Sequence, residues 1–297
     1  MDVTRYVKVS QLVEPHRNQG NTRVGGAGLL RPRSLRAIFE ESQQSMARSV
    51  LNEKRCGLYV FAAHRRAGQV AGLWLECTEQ PRAGMVGRHD MVDLPLPLDE
   101  QLSLRHLLFV VRRVQGEVRT TVVNLTTTGG LEVSPGEPLR LIESNGFLAM
   151  SASNFAFFCV PTGGVLPWKP YAKSAWESLP HSAPSRVEAV ERPSVGAPTL
   201  AVDLMGRDGP QRASFDTASL SRGVLIGRDT RCDLRAHDDT FSRVHAVLVN
   251  IDGRPFIVDA GSTNGIQFEG EEVKIAHLDG RKSFALGMDV MLTCHPR

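Results

Sequence analysis

Apolar residues recur with two different periods along this chain, and the helical period comes first. Between residues 34 and 55 large apolar side chains return at helical spacing, with Glu, Gln and Arg between them and no Gly or Pro. This period predicts an amphipathic helix with Ser34 as its N-cap. The apolar positions are Leu35, Ile38, Phe39, Met46, Val50 and Leu51. We expect this face to pack on the domain that follows, and self-association through it is the alternative.

From Gly57 onward the pattern changes to short segments of apolar and β-branched residues, separated by Gly, Pro and charged turns. Such segments predict the strands of an all-β sandwich. In the first half we expect strands at residues 58–62, 70–77, 106–111, 120–124, 139–142 and 155–160. The pattern returns at Thr199, with the clearest strands at residues 199–204, 223–226, 246–250, 256–259 and 290–294. The fold class predicted is therefore all-β, with two sandwiches in tandem after an N-terminal helix.

A proline-rich segment separates the two predicted sandwiches. Seven of the 17 prolines lie between residues 161 and 198, which predicts a semi-extended linker at residues 162–198. Trp168, Tyr171 and Trp176 are unusual in a free linker, because exposed aromatic rings are costly in water. We expect them to dock on a neighbouring domain, and a binding surface is the alternative. The predicted parts are a flexible basic segment (1–33), the helix (34–55), a first sandwich (56–161), the linker (162–198) and a second sandwich (199–297).

The charge of the chain narrows the classes of partner. The formal net charge is +3, and the first 55 residues hold 10 Lys and Arg against 5 Asp and Glu. The rest of the chain is slightly acidic and does not interleave basic with aromatic residues, so nucleic-acid binding is not expected there. We expect the basic segment to be a solvated tail. Contact with an acidic partner, a membrane surface or nucleic acid is the alternative.

The cysteines and the apolar runs favour a cytoplasmic location. Five cysteines at wide spacing, without a C-x-x-C pair, argue against a disulfide framework and against a zinc site. A reducing compartment fits this usage best. The polar start predicts no signal peptide, and no apolar run is long enough to insert into a membrane. We expect no metal and no cofactor.

The two β regions can be laid over each other, which indicates an internal repeat. The second region reads Gly227-Arg228, Ser242-Arg243-Val244-His245 and then DAGSTNGI at residues 259–266. The first region reads Gly87-Arg88, Ser103-Leu104-Arg105-His106 and then NLTTTGGL at residues 124–131. The spacing from Arg to Ser is 15 positions in the first region and 14 in the second. We infer two copies of one fold.

The polar residues of the second copy suit the binding of a phosphate group. Arg228, Ser242 and Thr263 each lie at the edge of a predicted strand, and loops at one end of a sandwich can converge on one site. Arginine offers a planar, always charged fork, and the hydroxyls and loop N–H groups add hydrogen-bond donors. No general base, nucleophile or metal-ligand set accompanies them. Donors without a reactive group predict a receptor site rather than a catalytic one.

This ordered set resembles the forkhead-associated (FHA) family, completely over about residues 199–297 and in part over about residues 57–161. The resemblance implies a β-sandwich that binds phosphothreonine peptides. It implies that Arg228 and Ser242 bind the phosphate, that Thr263 assists and that Asn264 binds the peptide backbone. Arg243 would add charge, and peptide preference would be tuned near Thr240. The residues with an implied structural role are Gly227, His245 and Gly265.

The first copy departs from the family pattern at two positions. Arg88, Ser103, His106 and Thr128 are retained as a vestigial set. Leu104 takes the place of the second copy's arginine at 243, and Gly129 takes the place of its asparagine at 264. Without the amide there is no grip on a peptide backbone, and without the arginine the positive potential is lower. We expect this copy to bind phosphopeptide weakly or not at all, and to serve in packing or another contact.

The function predicted is a phosphothreonine-dependent adaptor in a Ser/Thr kinase pathway. Its partner would be a phosphorylated protein such as a kinase or its substrate; a threonine of its own, Thr4 or Thr22, would give self-association. The alternative is a phosphate-independent scaffold that uses both sandwiches as structural modules. An enzyme is not expected, because G-x-x-x-x-G-K-[ST], H-E-x-x-H and G-x-S-x-G are all absent from the sequence.

Overall fold

The computed structural model describes residues 5–7, 32–66, 70–90, 92–97, 99–125, 131–133, 139–170, 172, 175–179, 186–189, 198–251 and 253–297. Most of the predicted basic segment, including Thr4 and Thr22, lies outside these residues. So do Tyr171, Thr128 and Gly129. The described residues form β-sandwiches preceded by one long helix, so the predicted fold class is confirmed. None of the described helices is long and apolar enough to cross a membrane.

The first half of the chain forms two sheets. Its helices are α1 (Leu35–Asn52) and α2 (Ala175–Ser178). Its strands are β1 (Arg5–Val7), β2 (Gly57–His64), β3 (Val70–Glu76), β4 (Arg82–Gly87), β5 (Leu94–Pro95), β6 (Leu107–Val114), β7 (Glu117–Asn124), β8 (Leu139–Ser144), β9 (Leu148–Ala152), β10 (Phe155–Thr162) and β11 (Arg186–Ala189). Sheet I has the order β1-β3-β2-β10-β9, and sheet II has the order β11-β8-β7-β6-β4-β5.

The second half forms two more sheets and one short helix, α3 (Thr217–Ser221). Its strands are β12 (Pro198–Gly206), β13 (Gly209–Asp216), β14 (Val224–Gly227), β15 (Leu234–Arg235), β16 (Ala246–Ile251), β17 (Arg254–Asp259), β18 (Ile266–Phe268), β19 (Glu271–Val273), β20 (Ile275–His277), β21 (Lys282–Ala285) and β22 (Met291–Pro296). Sheet III has the order β15-β14-β16-β17-β20, and sheet IV has the order β13-β12-β22-β21-β18-β19.

The two halves repeat the same local topology around the Gly-Arg pairs. Strand β4 runs antiparallel to β6 and parallel to the short β5, and β14 runs antiparallel to β16 and parallel to the short β15. In both copies a Cβ on the glycine that ends the first strand would collide with a backbone carbonyl of the next loop. Gly87 lies against Leu104, and Gly227 lies against Arg243. Only glycine permits this close approach of two backbones.

The four sheets stack as layers with a separate apolar cluster in each gap. One buried cluster fills the space between sheets I and II, and another fills the space between sheets III and IV. A further cluster joins sheets II and III across the two copies, and it includes Leu108 and Val110 of β6 with Val247 and Val249 of β16. Strands β6 and β16 are therefore buried on both faces. Their continuous apolar runs follow from this, because neither face of these strands meets water.

Helix α1 covers the outer face of sheet I. Ser34 caps its first turn by accepting the Ala37 N–H at 3.2 Å. Phe39 is fully buried, and its ring centroid lies 5.7 Å from that of Phe158 on β10. The expected packing on the domain that follows is thus present. Leu51 was expected on the same apolar face, but its side chain is 48% exposed, so the prediction for this residue is wrong and the buried face ends at Val50.

Several described residues of segment 162–198 are bound to the first sandwich. Trp168 is 3% exposed, and its ring centroid lies 5.2 Å from that of Phe39. Trp176 of α2 lies 5.4 Å from the same ring. Farther on, β11 pairs with β8 at the edge of sheet II. The aromatic residues dock because they enlarge the apolar cluster under α1.

We predict that Gly227→Ala destabilises the second sandwich by roughly 1–3 kcal/mol, because the new methyl group would collide with the Arg243 carbonyl and force the backbone apart. The measurement is the free energy of unfolding in urea. Gly280→Ala is the matched control, since its added Cβ meets nothing within 4 Å. Equal stability of the two variants would contradict the proposed close approach.

Candidate functional site

Loops that follow β14, β15 and β17 meet at one end of the second sandwich. The Arg228 N–H donates to the Ser242 carbonyl, and the Asp229 N–H donates to the Arg243 carbonyl, each at 3.0 Å. The His245 N–H donates to the Ile226 carbonyl at 2.7 Å. The first two loops are thus joined by backbone hydrogen bonds, which set the spacing between the two Arg-containing turns.

Ser242 and Thr263 are brought into direct contact, although 21 positions separate them. The Ser242 Oγ accepts the Thr263 N–H at 3.0 Å and lies 3.4 Å from the Thr263 Oγ1. Ser242 is 8% exposed, whereas Thr263 is exposed. The Ser242 hydroxyl therefore links the two loops through a hydrogen bond. It also lies close to the hydroxyl of the exposed Thr263.

Asn264 is held by the preceding loop. Its Nδ2 donates to the Thr240 carbonyl at 2.9 Å. Thr240 is fixed in turn, since its Oγ1 and N–H donate to the Asp238 Oδ1 at 2.6 Å and 2.7 Å. These bonds, the hydroxyl bond first, lower the pKa of Asp238. The network orients the Asn264 amide, which has a second N–H and a carbonyl oxygen beyond the bond to Thr240.

The two arginines of the site are exposed cations. Within the part of the chain described here, the guanidinium groups of Arg228 and Arg243 form no hydrogen bond or ion pair. The neighbouring Asp229 is bound by Arg231, whose Nε and Nη2 each lie 2.8 Å from its carboxylate. This pairing lowers the pKa of Asp229 to about 2. The carboxylate closest in sequence to Arg228 is therefore already neutralised by another residue.

His245 supports the third loop from below. The ring is fully buried, stacks on Phe241 with centroids 4.7 Å apart, and places its Nε2 3.0 Å from the Gly265 carbonyl. Burial lowers the pKa of His245, so the ring is neutral near pH 7 and donates its single N–H from Nε2. Gly265 has φ +68, a conformation that favours glycine.

A residue of the first copy also holds this loop, and the sequence analysis did not single it out. The Arg105 guanidinium donates to the Gly261 carbonyl from Nε at 2.7 Å and also from Nη2. Gly261 immediately precedes Ser262 and Thr263. The one available signal was the repeat itself, because Arg105 stands where the second copy has the apolar Val244.

The first copy has the same backbone frame with different side-chain chemistry. The Arg88 N–H donates to the Ser103 carbonyl, and the His89 N–H donates to the Leu104 carbonyl, both at 3.0 Å. His106 differs from its counterpart, because its Nδ1 accepts the Ser103 N–H at 3.1 Å. The expected third member of the vestigial set, Thr128, lies outside the described residues.

The assembled site offers hydrogen-bond donors and positive charge. The Ser242 and Thr263 hydroxyls meet, and the same loops carry Arg228 and Arg243, whose guanidinium groups lack a carboxylate partner in the described structure. Among the described residues no cluster of three His, Cys, Asp or Glu side chains could hold a metal ion. Such an arrangement can bind an oxyanion without reacting with it.

Comparison with known proteins agrees with the resemblance seen in the sequence. Residues 224–280 match the family model of the FHA domain, a range that includes every predicted site residue of the second copy. The second half of the chain therefore carries an FHA domain, and the match leaves the first copy outside its range. No curated protein is significantly similar to the chain.

Several solved structures align with about one third of the chain. The Slr1951 protein from Synechocystis sp. is 23% identical, with 34% of this chain and 98% of that chain aligned at a TM-score of 0.30. The FHA domain of CT664 from Chlamydia trachomatis is 22% identical, with 33% of this chain and 98% of that chain aligned at a TM-score of 0.30. EmbR from Mycobacterium tuberculosis, in complex with a low affinity phosphopeptide, is 21% identical. In that case 32% of this chain and 24% of that chain are aligned at a TM-score of 0.28.

We predict that acidification destabilises the fold through its two buried histidines. Burial lowers the pKa of His106 to about 4 and also lowers that of His245. The unfolded state, with a pKa near 6.5, binds more protons, so stability falls as the pH drops below about 6.5 and levels off below about 4. For His106 the loss is about 3 kcal/mol.

The measurement is urea unfolding at about pH 7.5 and about pH 4.5 for the protein and for His106→Asn. The unmodified protein should have a higher free energy of unfolding than this variant at about pH 7.5, and we expect that difference to shrink by about 2–3 kcal/mol at about pH 4.5. If the difference in free energy of unfolding between the protein and the variant is the same at both pH values, His106 is not a buried neutral group.

We predict that Arg105→Ala loosens the loop at residues 261–264 of the other copy. Loss of a charge-assisted hydrogen bond to the Gly261 carbonyl should raise amide hydrogen exchange at Ser262 and Thr263 by roughly tenfold or more. Arg113→Ala is the control, because this exposed arginine lies at the opposite end of β6. Unchanged exchange in Arg105→Ala would refute the clamp.

Proposed function

We propose that the FHA domain of the second copy binds phosphothreonine peptides, and that the protein is an adaptor in Ser/Thr kinase signalling. The observation that carries this proposal is the meeting of Ser242 and Thr263, in loops that also carry two arginines without a carboxylate partner in the described structure. A dianionic phosphate supplies the counter-charge that these donors lack. FHA domains are binding modules, and the site contains donors but no nucleophile or general base.

Each residue of the site has a separate task in this proposal. Arg228 and Ser242 bind the phosphate, and Arg243 adds positive charge beside it. Thr263 assists through its exposed hydroxyl. Asn264 hydrogen-bonds the peptide backbone with the amide atoms that the bond to Thr240 leaves over. The rigid supports are Gly227, His245 and Gly265, which hold the three loops in place.

Three or four charge-assisted hydrogen bonds, less the cost of ordering the peptide, correspond to a micromolar affinity. A preference for phosphothreonine over phosphoserine requires burial of one methyl group, which contributes about 0.8 kcal/mol or about fourfold in affinity. The half-buried Thr240, next to the Asn264 side chain, is where residues that follow the phosphothreonine would be selected.

The first copy takes no phosphopeptide on its own in this proposal. Leu104 offers no charge where the second copy has Arg243, and Arg105 is committed to the loop of the second copy. We place the two domains at residues 56–161 and 199–297 of a cytoplasmic protein. Its partner is a phosphorylated protein, either a Ser/Thr kinase or a substrate of one. A phosphate-independent scaffold is the competing function.

The test is a titration of the full chain with phosphothreonine peptides and their unphosphorylated twins, in which fluorescence anisotropy reports binding. We expect binding only with phosphate, and Arg228→Ala should weaken it roughly ten- to hundredfold through loss of a charge-assisted hydrogen bond. Ser242→Ala should weaken it similarly. Arg281→Ala is the control for charge, since it is exposed and follows β20 at the far end of the sandwich.

Equal affinity for a peptide and its unphosphorylated twin would favour the scaffold function. Unchanged affinity in Arg228→Ala would exclude this arginine as a phosphate ligand. Because Arg228 is exposed and its side chain forms no bond in the described structure, its loss should leave the unfolding midpoint unaltered. A fall in affinity can then be assigned to the site rather than to the fold.

A further inference from the structure

A cleft of about 280 Å³ lies between the two copies, and Arg243 of the proposed phosphothreonine site is part of its lining. Its walls come from loops of both halves. The polar residues that line it include Arg88, Ser103 and Arg105 from the first copy, and Asp229, Arg231 and Arg243 from the second. The cleft exists only because sheets II and III pack face to face and bring the two sets of loops to the same end of the molecule.

The cleft carries an excess of positive charge. Four arginines line it, against the carboxylates of Glu100 and Asp229, and the second carboxylate is already bound by Arg231. The charges of Arg88, Arg105 and Arg243 have no carboxylate within ion-pair distance in the described residues. Burial lowers the pKa of Arg105; the charge of Asp259 opposes this effect, and repulsion from Arg243 adds to it. Like charges held this close are stabilised by an anion between them.

Arg88 has a hydrogen-bond donor without an acceptor. Its Nε is buried and makes no hydrogen bond to any described group. A buried N–H of a charged group without an acceptor costs more than about 1 kcal/mol, so none of the described groups offsets the desolvation of this end of the guanidinium. Arg88 holds the position in the first copy that Arg228 holds in the second. The first copy thus keeps an arginine at this position although it lacks the counterparts of Arg243 and Asn264.

Two loops that carry residues of the proposed site also contribute to the wall of the cleft. Arg243, which lines the cleft, follows Ser242 in the chain, and Asp229 follows Arg228. Each extended peptide residue spans about 3.3–3.6 Å, so the flank of a bound peptide reaches the cleft within a few residues. The ligand that fits this position is a second anionic group on the same chain.

We propose that the cleft binds a second anionic group, a phosphate or a carboxylate, of the peptide whose phosphothreonine occupies the second copy. Arg88 and Arg105 of the first copy and Arg243 of the second form its walls. The first copy is thus half of a composite site, not a second independent reader. This inference rests on the proposed function and adds a preference for multiply phosphorylated or acidic segments.

The test uses peptides with a central phosphothreonine and a phosphoserine placed in turn at each position of both flanks. Twins carry serine or glutamate at the same position. Anisotropy at one fixed ionic strength should show about tenfold tighter binding for at least one placement of the second phosphate, the gain of one charge-assisted hydrogen bond. A gain with glutamate as well identifies a general anion site, and a gain with phosphoserine alone identifies a phosphate site.

Arg88→Gln should abolish this gain and leave affinity for the singly phosphorylated peptide unchanged. Arg113→Ala, at the other end of β6, removes an equal charge and should preserve the gain. Leu104→Glu, which places a negative charge in the cleft, should also abolish it.

The proposal is overturned if no placement of the second phosphate tightens binding, or if the gain persists in Arg88→Gln. A different result would contradict the proposed function itself. That result is equal affinity for the singly phosphorylated peptide and its unphosphorylated twin, measured before any second phosphate is introduced.

Discussion

The packing of sheet II against sheet III is the interaction on which the rest of this structure depends. It buries one face of each sheet, including Val123 and Leu141 on one side and Ile251 and Val258 on the other. Full burial of each such side chain contributes roughly 1.5–3 kcal/mol. Gly223 lies at this interface, where an added Cβ would be 3.0 Å from Val123 of the other copy. Its φ of +79 also favours glycine. The two sandwiches consequently form one four-layered body with their functional loops at the same end.

This arrangement explains how the first half of the chain supports a loop of the second half. Arg105 can reach the Gly261 carbonyl only because the two sheets lie face to face. In the second copy the corresponding residue is the apolar Val244, which packs against the interface cluster. One position of the repeat has thus been used for packing in one copy and for support of a loop in the other.

The site itself separates groups that give rigidity from groups that remain available to a ligand. Backbone bonds join the loops of Arg228 and Ser242, and the neutral His245 ring supports Gly265 from the core. These contacts are buried and uncharged, so they hold the loops without cancelling the site's charge. The Asp229–Arg231 pair engages the carboxylate that follows Arg228 in the chain. Pre-organised donors of this kind lose little entropy when an oxyanion binds.

The sequence by itself determined most of the elements and the recurring Gly-Arg and Ser-x-x-His pattern, and it led to the site residues that we propose for the second copy. Helix α1, with its Ser34 cap, and most strands follow from local periodicity, and the spacing of Arg228, Ser242 and Thr263 follows from one short motif. Tertiary structure alone decided that Leu51 is exposed, that Arg105 holds a loop of the other copy and that Arg88 lines a shared cleft. The reason is physical. Periodicity shows that a strand such as β6 avoids water on both faces, but which surface covers each face depends on contacts between residues far apart in the chain.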